Sequence, residues 1–408
     1  MAYVAVSGGE EAIAASLELL SEGLSDPAAN VASARIAAAL PELIDQVMGE
    51  SSLYEPSLAA LALRQGGGSV EEAVFLLRAF RSTLERPYTS RIIETGNMRV
   101  KRRISAAFKD ILGGQILGVT RDYSHRLLDF RLDGEEQASD SASPAAPAPV
   151  PAVPAPAPAP AVSAPAAEAP QGFPNLPKVA ASLRAQGLLT PPPPDDTPPR
   201  DITMEPLSFP AGRDVRLQIL ARGMTQAVMA LGYAALRGFG PAHPTVGELR
   251  YGTLDVLVDH PFEAGDEEDA YYVGALAVTE VESLFSVERE EQEAASADDT
   301  HELSFAIGYG LVYGRAESKA IAMSILDHCL TLGDETFPTQ DEEFVLYHVD
   351  SIEATGFISH LKLPHYVTFQ SKLNSVRRTR HDADVPGAAF AREERTDGSQ
   401  EASHATAV

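Results

Sequence analysis

Apolar residues recur at helical spacing along the first part of the chain. Ile13, Leu17 and Leu20 lead up to Gly23, and Ile36, Leu40, Leu43, Ile44 and Val47 run through Pro41, so each set predicts a helix with one apolar face. A firmer start signal follows Gly66-Gly67-Gly68: Ser69-Val70-Glu71-Glu72 has the form of a capping box, and Val70, Val74, Leu77 and Leu84 then predict a helix near 70–85. Farther on the period changes. Leu254, Val256 and Val258 alternate with Asp255 and Leu257, and Tyr271 to Val281 is rich in strand-forming residues. Ile321, Ile325, Cys329 and Leu332 return to helical spacing and stop at Gly333.

These patterns predict an α+β fold with a largely helical N-terminal portion over residues 1–136 and a mixed α+β portion over residues 200–380. Residues 137–199 are dominated by Ala-Pro repeats ending in Pro191-Pro192-Pro193-Pro194, a composition that favours extended polyproline II and builds no core. This Pro/Ala-rich flexible linker is expected to divide the protein. A short helix is expected within it, from Lys178 to Leu188, with Val179, Leu183 and Leu188 as contacts. Tyr3-Val4-Ala5-Val6 reads as a strand, Glu288 to Asp299 as an acidic surface loop, and residues 381–408 as a disordered tail.

Composition narrows the function classes. Lys and Arg total 32 against 58 for Asp and Glu, a net charge of −26, which disfavours nucleic acid or an anionic membrane as a broad-surface partner. A single cysteine, Cys329, excludes an intrachain disulfide and a Cys-only zinc site, and fits a reducing, cytoplasmic compartment. The N-terminus lacks the basic region of a signal peptide. Ser141 to Ala167 is uncharged and long enough to imitate a membrane span, but its prolines would break the internal hydrogen bonding that hydrocarbon demands.

Against this acidic background one basic block stands out. Met98-Arg99-Val100-Lys101-Arg102-Arg103-Ile104-Ser105 continues to Lys109-Asp110 and then Gly113-Gly114-Gln115. Guanidinium forks bind phosphate bidentately, and glycine amides can approach an anion. A solvated or acid-paired helix face explains the same residues, because no Walker-type Gly-Lys-Ser/Thr accompanies them. Asp122-Tyr123-Ser124-His125-Arg126-Leu127-Leu128-Asp129 gathers an imidazole, a guanidinium and two carboxylates, able to position a ribose and a phosphate or to serve as structural polar residues.

Gln340-Asp341-Glu342-Glu343 places carboxylates ahead of an apolar run. Such a pair suits glycosidic cleavage, where it stabilises an oxocarbenium-like centre, and suits the first turn of a helix equally well through the dipole. His360 and His365 would lie about 140° apart on one regular helix. Pro364 argues against a continuous helix there, and a turn would aim both imidazoles at one ion. Two ligands do not complete a zinc site, so the others must come from elsewhere in the chain or from another chain. Gly308-Tyr309-Gly310-Leu311-Val312-Tyr313-Gly314 allows close backbone approach without phosphate-loop spacing.

Taken together, in order along nearly the whole chain, these blocks resemble the I subunits of the bacterial carbon–phosphorus lyase system. The resemblance runs from Tyr3-Val4-Ala5-Val6 with Gly8-Gly9-Glu10, through Glu72 to Ala79 and the Arg102-Arg103-Ile104-Ser105 and Lys109-Asp110 block. It continues through Gly113-Gly114-Gln115, His125 to Asp129, Gln340 to Leu346 and Ser359 to Tyr366. The long Pro/Ala stretch and the extension after about Arg380 depart from the family pattern.

The resemblance implies an enzyme subunit that breaks the N-glycosidic bond of ATP, taken with Mg, and joins ribose triphosphate through its anomeric carbon to an alkylphosphonate. Adenine leaves, and methylphosphonate gives alpha-D-ribose 1-methylphosphonate 5-triphosphate. Implied partners are the G, H and L subunits in that step, the J subunit in the core, and the K subunit in the wider system; purine nucleosidase activity of the isolated chain is implied as well, and a mainly scaffolding role is the alternative. The family further implies zinc at the boundary with the J subunit, held by His360 and His365. Within the matching blocks, Arg102, Arg103, Lys109 and Arg126 are expected to bind the anion, with Gln115 and His125 beside them at the substrate. Asp341 or Glu342 is expected to stabilise positive charge on the ribose.

Overall fold

The computed structural model describes residues 9–25, 31–130, 176–189, 197–240, 243–259, 270–288, 303–363 and 365–379. The strand expected at Tyr3–Val6, nearly all of the acidic loop, most of the Pro/Ala stretch, Pro364 and the C-terminal tail therefore lie outside the described residues. The chain divides into two compact units, Met1–Ser25 with Thr355–Val408, and Asp26–Ala354.

In chain order the elements begin with α1 (Glu10–Ser25), α2 (Ser33–Ala39), α3 (Pro41–Ser51), α4 (Pro56–Gln65), α5 (Val70–Arg81), β1 (Arg99–Ser105) and α6 (Val179–Ala185). They continue with α7 (Arg213–Arg222), α8 (Thr225–Ala234), β2 (Thr245–Val258), β3 (Tyr271–Glu288), β4 (Leu303–Tyr313) and α9 (Glu317–Leu332). The last are α10 (Glu342–His348), α11 (Ser351–Ser359) and α12 (Tyr366–Thr379). The α+β class holds. Pro41 occupies the first turn of α3, where its missing N–H costs nothing, and so splits the expected single helix into α2 and α3. The Ser69 hydroxyl accepts from the Glu72 amide at 3.2 Å and starts α5 where the capping signal placed it. Gly333 ends α9 in the left-handed conformation, with φ 65°.

Helices α2 to α5 bury Ile44, Val47, Met48, Leu63, Val74 and Leu77 in one cluster. The larger core lies against a four-stranded antiparallel sheet in the order β1-β2-β3-β4. On one face Leu249, Val281 and Val312 pack with Ala320, Met323 and Leu326 of α9 and with Val215, Leu220 and Val228 of α7 and α8. The glycine-rich run serves this packing: a Cβ on Gly308 would sit 2.0 Å from Ser324 O, and one on Gly310 2.1 Å from Ala320 O. The close backbone approach foreseen for it is thus an approach to α9.

The opposite face is charged yet buried. Register pairs Arg103 with Arg250 across β1–β2, and Arg250 with Glu280 and Glu248 with Glu282 across β2–β3. Arg103 binds Glu248 at 2.6 Å, Arg250 binds Glu280, and Lys178 at the start of α6 reaches Glu280 at 2.9 Å and Glu282 at 2.5 Å. The segment 176–189 is held onto this face further by the Val179 amide on Glu248 at 2.9 Å and a bridge from Leu189 to Phe305. The expected short helix is present as α6, with Val179 buried and Leu188 exposed. Because β1 precedes the Pro/Ala stretch and β2 to β4 follow it, one sheet draws on both sides, and that stretch does not separate two independent cores.

Among the described residues no single helix is long and apolar enough to cross a membrane. Helices Arg213–Arg222 and Thr225–Phe239 pass that test only as a pair bent by 118°, and their Val215, Leu220 and Val228 belong to the core.

Candidate functional site

The basic block is a strand rather than a helix, and neighbouring residues of a strand point to opposite faces. Arg102 and Arg103 are nevertheless both buried, and each guanidinium nitrogen of both donates to a protein acceptor. Besides Glu248, Arg103 donates to Leu112 O at 2.9 Å and Pro177 O at 3.0 Å, so each nitrogen of its guanidinium already serves the protein. Gly113, at φ 107°, has no Cβ because Arg103 Nη1 lies 2.1 Å from where one would be. The turn therefore wraps a guanidinium instead of an anion. Gln115 closes it by pairing with the Ser105 backbone in both directions, at 2.9 and 2.7 Å. Lys109 stands exposed above the Phe108 ring. The acid-paired alternative describes this block, on a strand.

Arg102 points instead to a cleft. Its Nε donates to Glu317 at 2.6 Å, Nη1 to Leu117 O at 2.6 Å and Nη2 to Asp122 at 2.6 Å. Asp122 and Glu317 form part of the wall of a cleft of about 540 Å³, with Glu42 and Gln46 of α3, Arg121 and Arg126 of the loop after β1, and Arg315 to Lys319 at the start of α9. Four cations and three carboxylates share this wall. Arg121 meets Glu42 at 2.8 Å, and Arg126 donates from Nε to Arg121 O at 3.2 Å. Arg126 holds φ at 56°, a left-handed conformation that costs a non-glycine residue of order 1 kcal/mol and clusters at functional sites.

The electrostatics of the cleft favour an anion. Among the described residues no side chain caps α9 by a hydrogen bond, and Glu317 in its first turn is the carboxylate that meets its dipole. Arg315 sits 4.9 Å over the Tyr251 ring, with its Nε buried and without a hydrogen-bond partner among the described residues. Lys319 is 3% exposed and donates to Ala221 O at 2.7 Å; burial pushes its ammonium down to about 8 against the pull of Glu50. Asp122 is held below the usual carboxylate range by the Thr120 hydroxyl, then by Arg102 and Arg126. Arg126 is the one expected anion-binding residue that lines the cleft. Arg315, Glu317 and Lys319 escaped the sequence reading, although a glycine-punctuated strand running straight into a helix with basic residues at its start was a signal for them.

The structure places the other expected residues elsewhere. His125 is exposed and does not line the cleft. Asp341 caps α10, accepting from the Phe344 amide at 2.9 Å, and Glu342 accepts from the Ala211 amide at 3.0 Å. Neither lines the cleft; both occupy the helix-terminal roles that their position before an apolar run also allowed.

Regular helix stops at Ser359, a single 3-10 turn covers His360–Lys362, and α12 begins at Tyr366. This break brings the His360 and His365 rings to 5.4 Å between centroids. His360 Nδ1 lies 2.5 Å from Phe357 O and His365 Nε2 3.2 Å from His360 O, leaving one ring nitrogen of each for a metal. Among the described residues no group of three or more His, Cys, Asp or Glu side chains could hold a metal ion. The pair thus fits half of a zinc shell.

Residues 2–383 match the PhnI family, described as bacterial phosphonate metabolism protein. A relative from Rhizobium meliloti (strain 1021) is 39% identical over 397 residues, covering 95% of this chain and 97% of its own length. Another, from Escherichia coli (strain K12), is 41% identical over 388 residues, covering 93% of this chain and 99% of its own. Both are named alpha-D-ribose 1-methylphosphonate 5-triphosphate synthase subunit PhnI.

Proposed function

The chain belongs to the PhnI family of bacterial phosphonate metabolism proteins, and from that premise we propose that it displaces adenine from ATP and joins the ribose triphosphate to methylphosphonate, as a subunit of the phosphonate-activating transferase. The observation that carries the reading is the cleft in which Arg121, Arg126 and Arg315 face Asp122 and Glu317. In it the cations would hold the triphosphate with its Mg. Departure of adenine leaves positive charge on the ribose, and a carboxylate such as Glu317 stabilises that charge as it develops. Arg102 is then a positioning residue, fixing both carboxylates from behind.

His360 and His365 would supply two nitrogens to zinc, with the remaining ligands from a partner subunit; zinc bound there contributes Lewis acidity. The G, H, J, K and L subunits are the proposed partners. A mainly scaffolding role is the second reading, favoured by apolar side chains left exposed on α1, α11 and α12, among them Leu17, Leu20, Phe357, Tyr366 and Phe369.

Adenine release from MgATP and methylphosphonate by the reconstituted G, H and L subunits, with this chain present or omitted, tests the reading, the product being followed by phosphorus NMR. Chain-dependent release with formation of the ribosyl phosphonate is expected. Arg126→Ala and Glu317→Gln should each lower it by about tenfold or more, and Asp341→Asn by less than tenfold, since Asn caps a helix as well as Asp does. If an authentic I subunit supports the reaction and this chain does not, the scaffold reading replaces the transferase.

A further inference from the structure

Gln46 of α3 brings a carboxamide to the wall of the cleft, and its neighbours fix which way that group faces. Its Nε2 donates to Glu50 Oε1 at 2.9 Å and lies 3.4 Å from Gln226 Oε1. Glu50 is 1% exposed, and the same Oε1 accepts from the Thr225 amide at 2.9 Å and the Thr225 hydroxyl at 2.8 Å. A backbone amide only donates, so Glu50 Oε1 is an acceptor there, and Gln46 must turn its NH2 to it and its oxygen away. Arg78 grips the Glu50 backbone oxygen at 2.8 Å, which keeps this acceptor in place.

The carboxamide is thereby left with one free function. Both hydrogens of the NH2 have acceptors, whereas Gln46 Oε1 has no partner among the described residues. Joining α3 to α8 uses only the NH2, which leaves the oxygen for a ligand that brings a donor. Glu42 and Gln46 stand one helical turn apart on α3, about 6 Å. Because Glu42 pairs with Arg121, the free oxygen lies within a nucleotide's length of the cations. Pro41, Val119 and Met229 add exposed apolar surface to the same wall.

We propose that Gln46 reads the base of the nucleotide, accepting a hydrogen bond from an N–H on its Watson–Crick edge while Pro41, Val119 and Met229 cover the ring. This rests on the reading of the cleft as a nucleotide site and adds its selectivity. A pinned acceptor takes adenine through the 6-amino group and rejects a purine that presents no donor on that edge. Gln46 contacts the base alone and takes no part in breaking the glycosidic bond.

Calorimetric titration of the full chain with MgATP, and with the magnesium complex of purine riboside 5′-triphosphate, which lacks only the 6-amino group, tests the contact. The chain should bind ATP about tenfold tighter, the worth of one hydrogen bond whose loss leaves an acceptor unpaired. Gln46→Met, which keeps the length of the side chain and has no carboxamide oxygen, should remove that difference by weakening ATP alone. Gln46→Lys retains a donor for Glu50 and likewise lacks the acceptor; it should bind both nucleotides equally, and keeps the test decisive if Gln46→Met does not fold. Equal affinities in the unaltered chain, a preference for ATP that survives in either folded variant, or no saturable binding of ATP overturns the proposal. Base release in the reconstituted reaction is scored separately: if it fails while the Gln46-dependent preference is present, the transferase reading falls and the base contact stands.

Discussion

Glu280 shows how far a neighbourhood can carry one carboxyl group. Burial works to raise its pKa, yet Arg250 and Lys178 hold it at about 2, below the ordinary 4.5. The unfolded chain therefore binds a proton that the folded chain refuses between those two values. The contribution of Glu280 is complete above about pH 4.5 and is lost as the pH falls towards 2. In Glu280→Gln the stability measured by urea unfolding should fall less steeply with acid over that window, by up to about 1.4 kcal/mol per pH unit. An unchanged slope would show that the charged pairs on this face do not govern acid stability. At this scale the sequence marked Arg102 and Arg103 as unusual but did not show their use, because a guanidinium that binds phosphate and one that binds Glu248 have the same local sequence. Arg126, expected at the anion, does line the cleft, whereas its cleft partners Arg315 and Lys319 lie almost two hundred residues farther on.

Among the elements, β4 and α9 are fitted to each other most tightly. Gly310→Ala sets a methyl group against Ala320 O, where only backbone movement makes room, and should cost about 1–3 kcal/mol or more in thermal unfolding. Gly96→Ala, with open space around it, should stay within about 0.5 kcal/mol. Equal effects of the two would remove the packing explanation of the glycine run. Helix α5 was legible to its first residue because the Ser69 cap is a local interaction. Its end at Arg81 instead of residue 85 was not, since Leu84 continues the apolar period but lies exposed beyond the helix. Strand β1 was missed because its apolar positions are interleaved with four Arg and Lys residues, and burial of arginines is decided by acids on β2 and α9.

For the molecule as a whole, the exposed apolar residues of α1 and α12 and the two-ligand histidine pair are both incomplete features, of the kind a subunit completes with a partner. Zinc should accordingly accompany the assembled complex in metal analysis, with His360→Ala and His365→Ala each reducing it by about tenfold or more, and the isolated chain retaining little. Stoichiometric zinc on the isolated chain would mean that the remaining ligands are its own. The order of the matching blocks along the chain carried the family, and the match over residues 2–383 agrees with it.

By itself the sequence determined what local chemistry determines: the capped helix α5, the glycine stop of α9, the alternating strand β2, and the turn that sets His360 beside His365. Each rests on interactions within a few residues, so the pattern and its cause are read together. Tertiary structure alone decided that β1 joins strands from beyond the Pro/Ala stretch, that Arg103 is an internal ion-pair partner, and that Asp341 caps a helix away from the cleft. It also decided that Arg126, Arg315 and Lys319 face one cavity. Charge placement of this kind depends on which acids the fold brings within reach and how far it removes water, and neither quantity has a local signature.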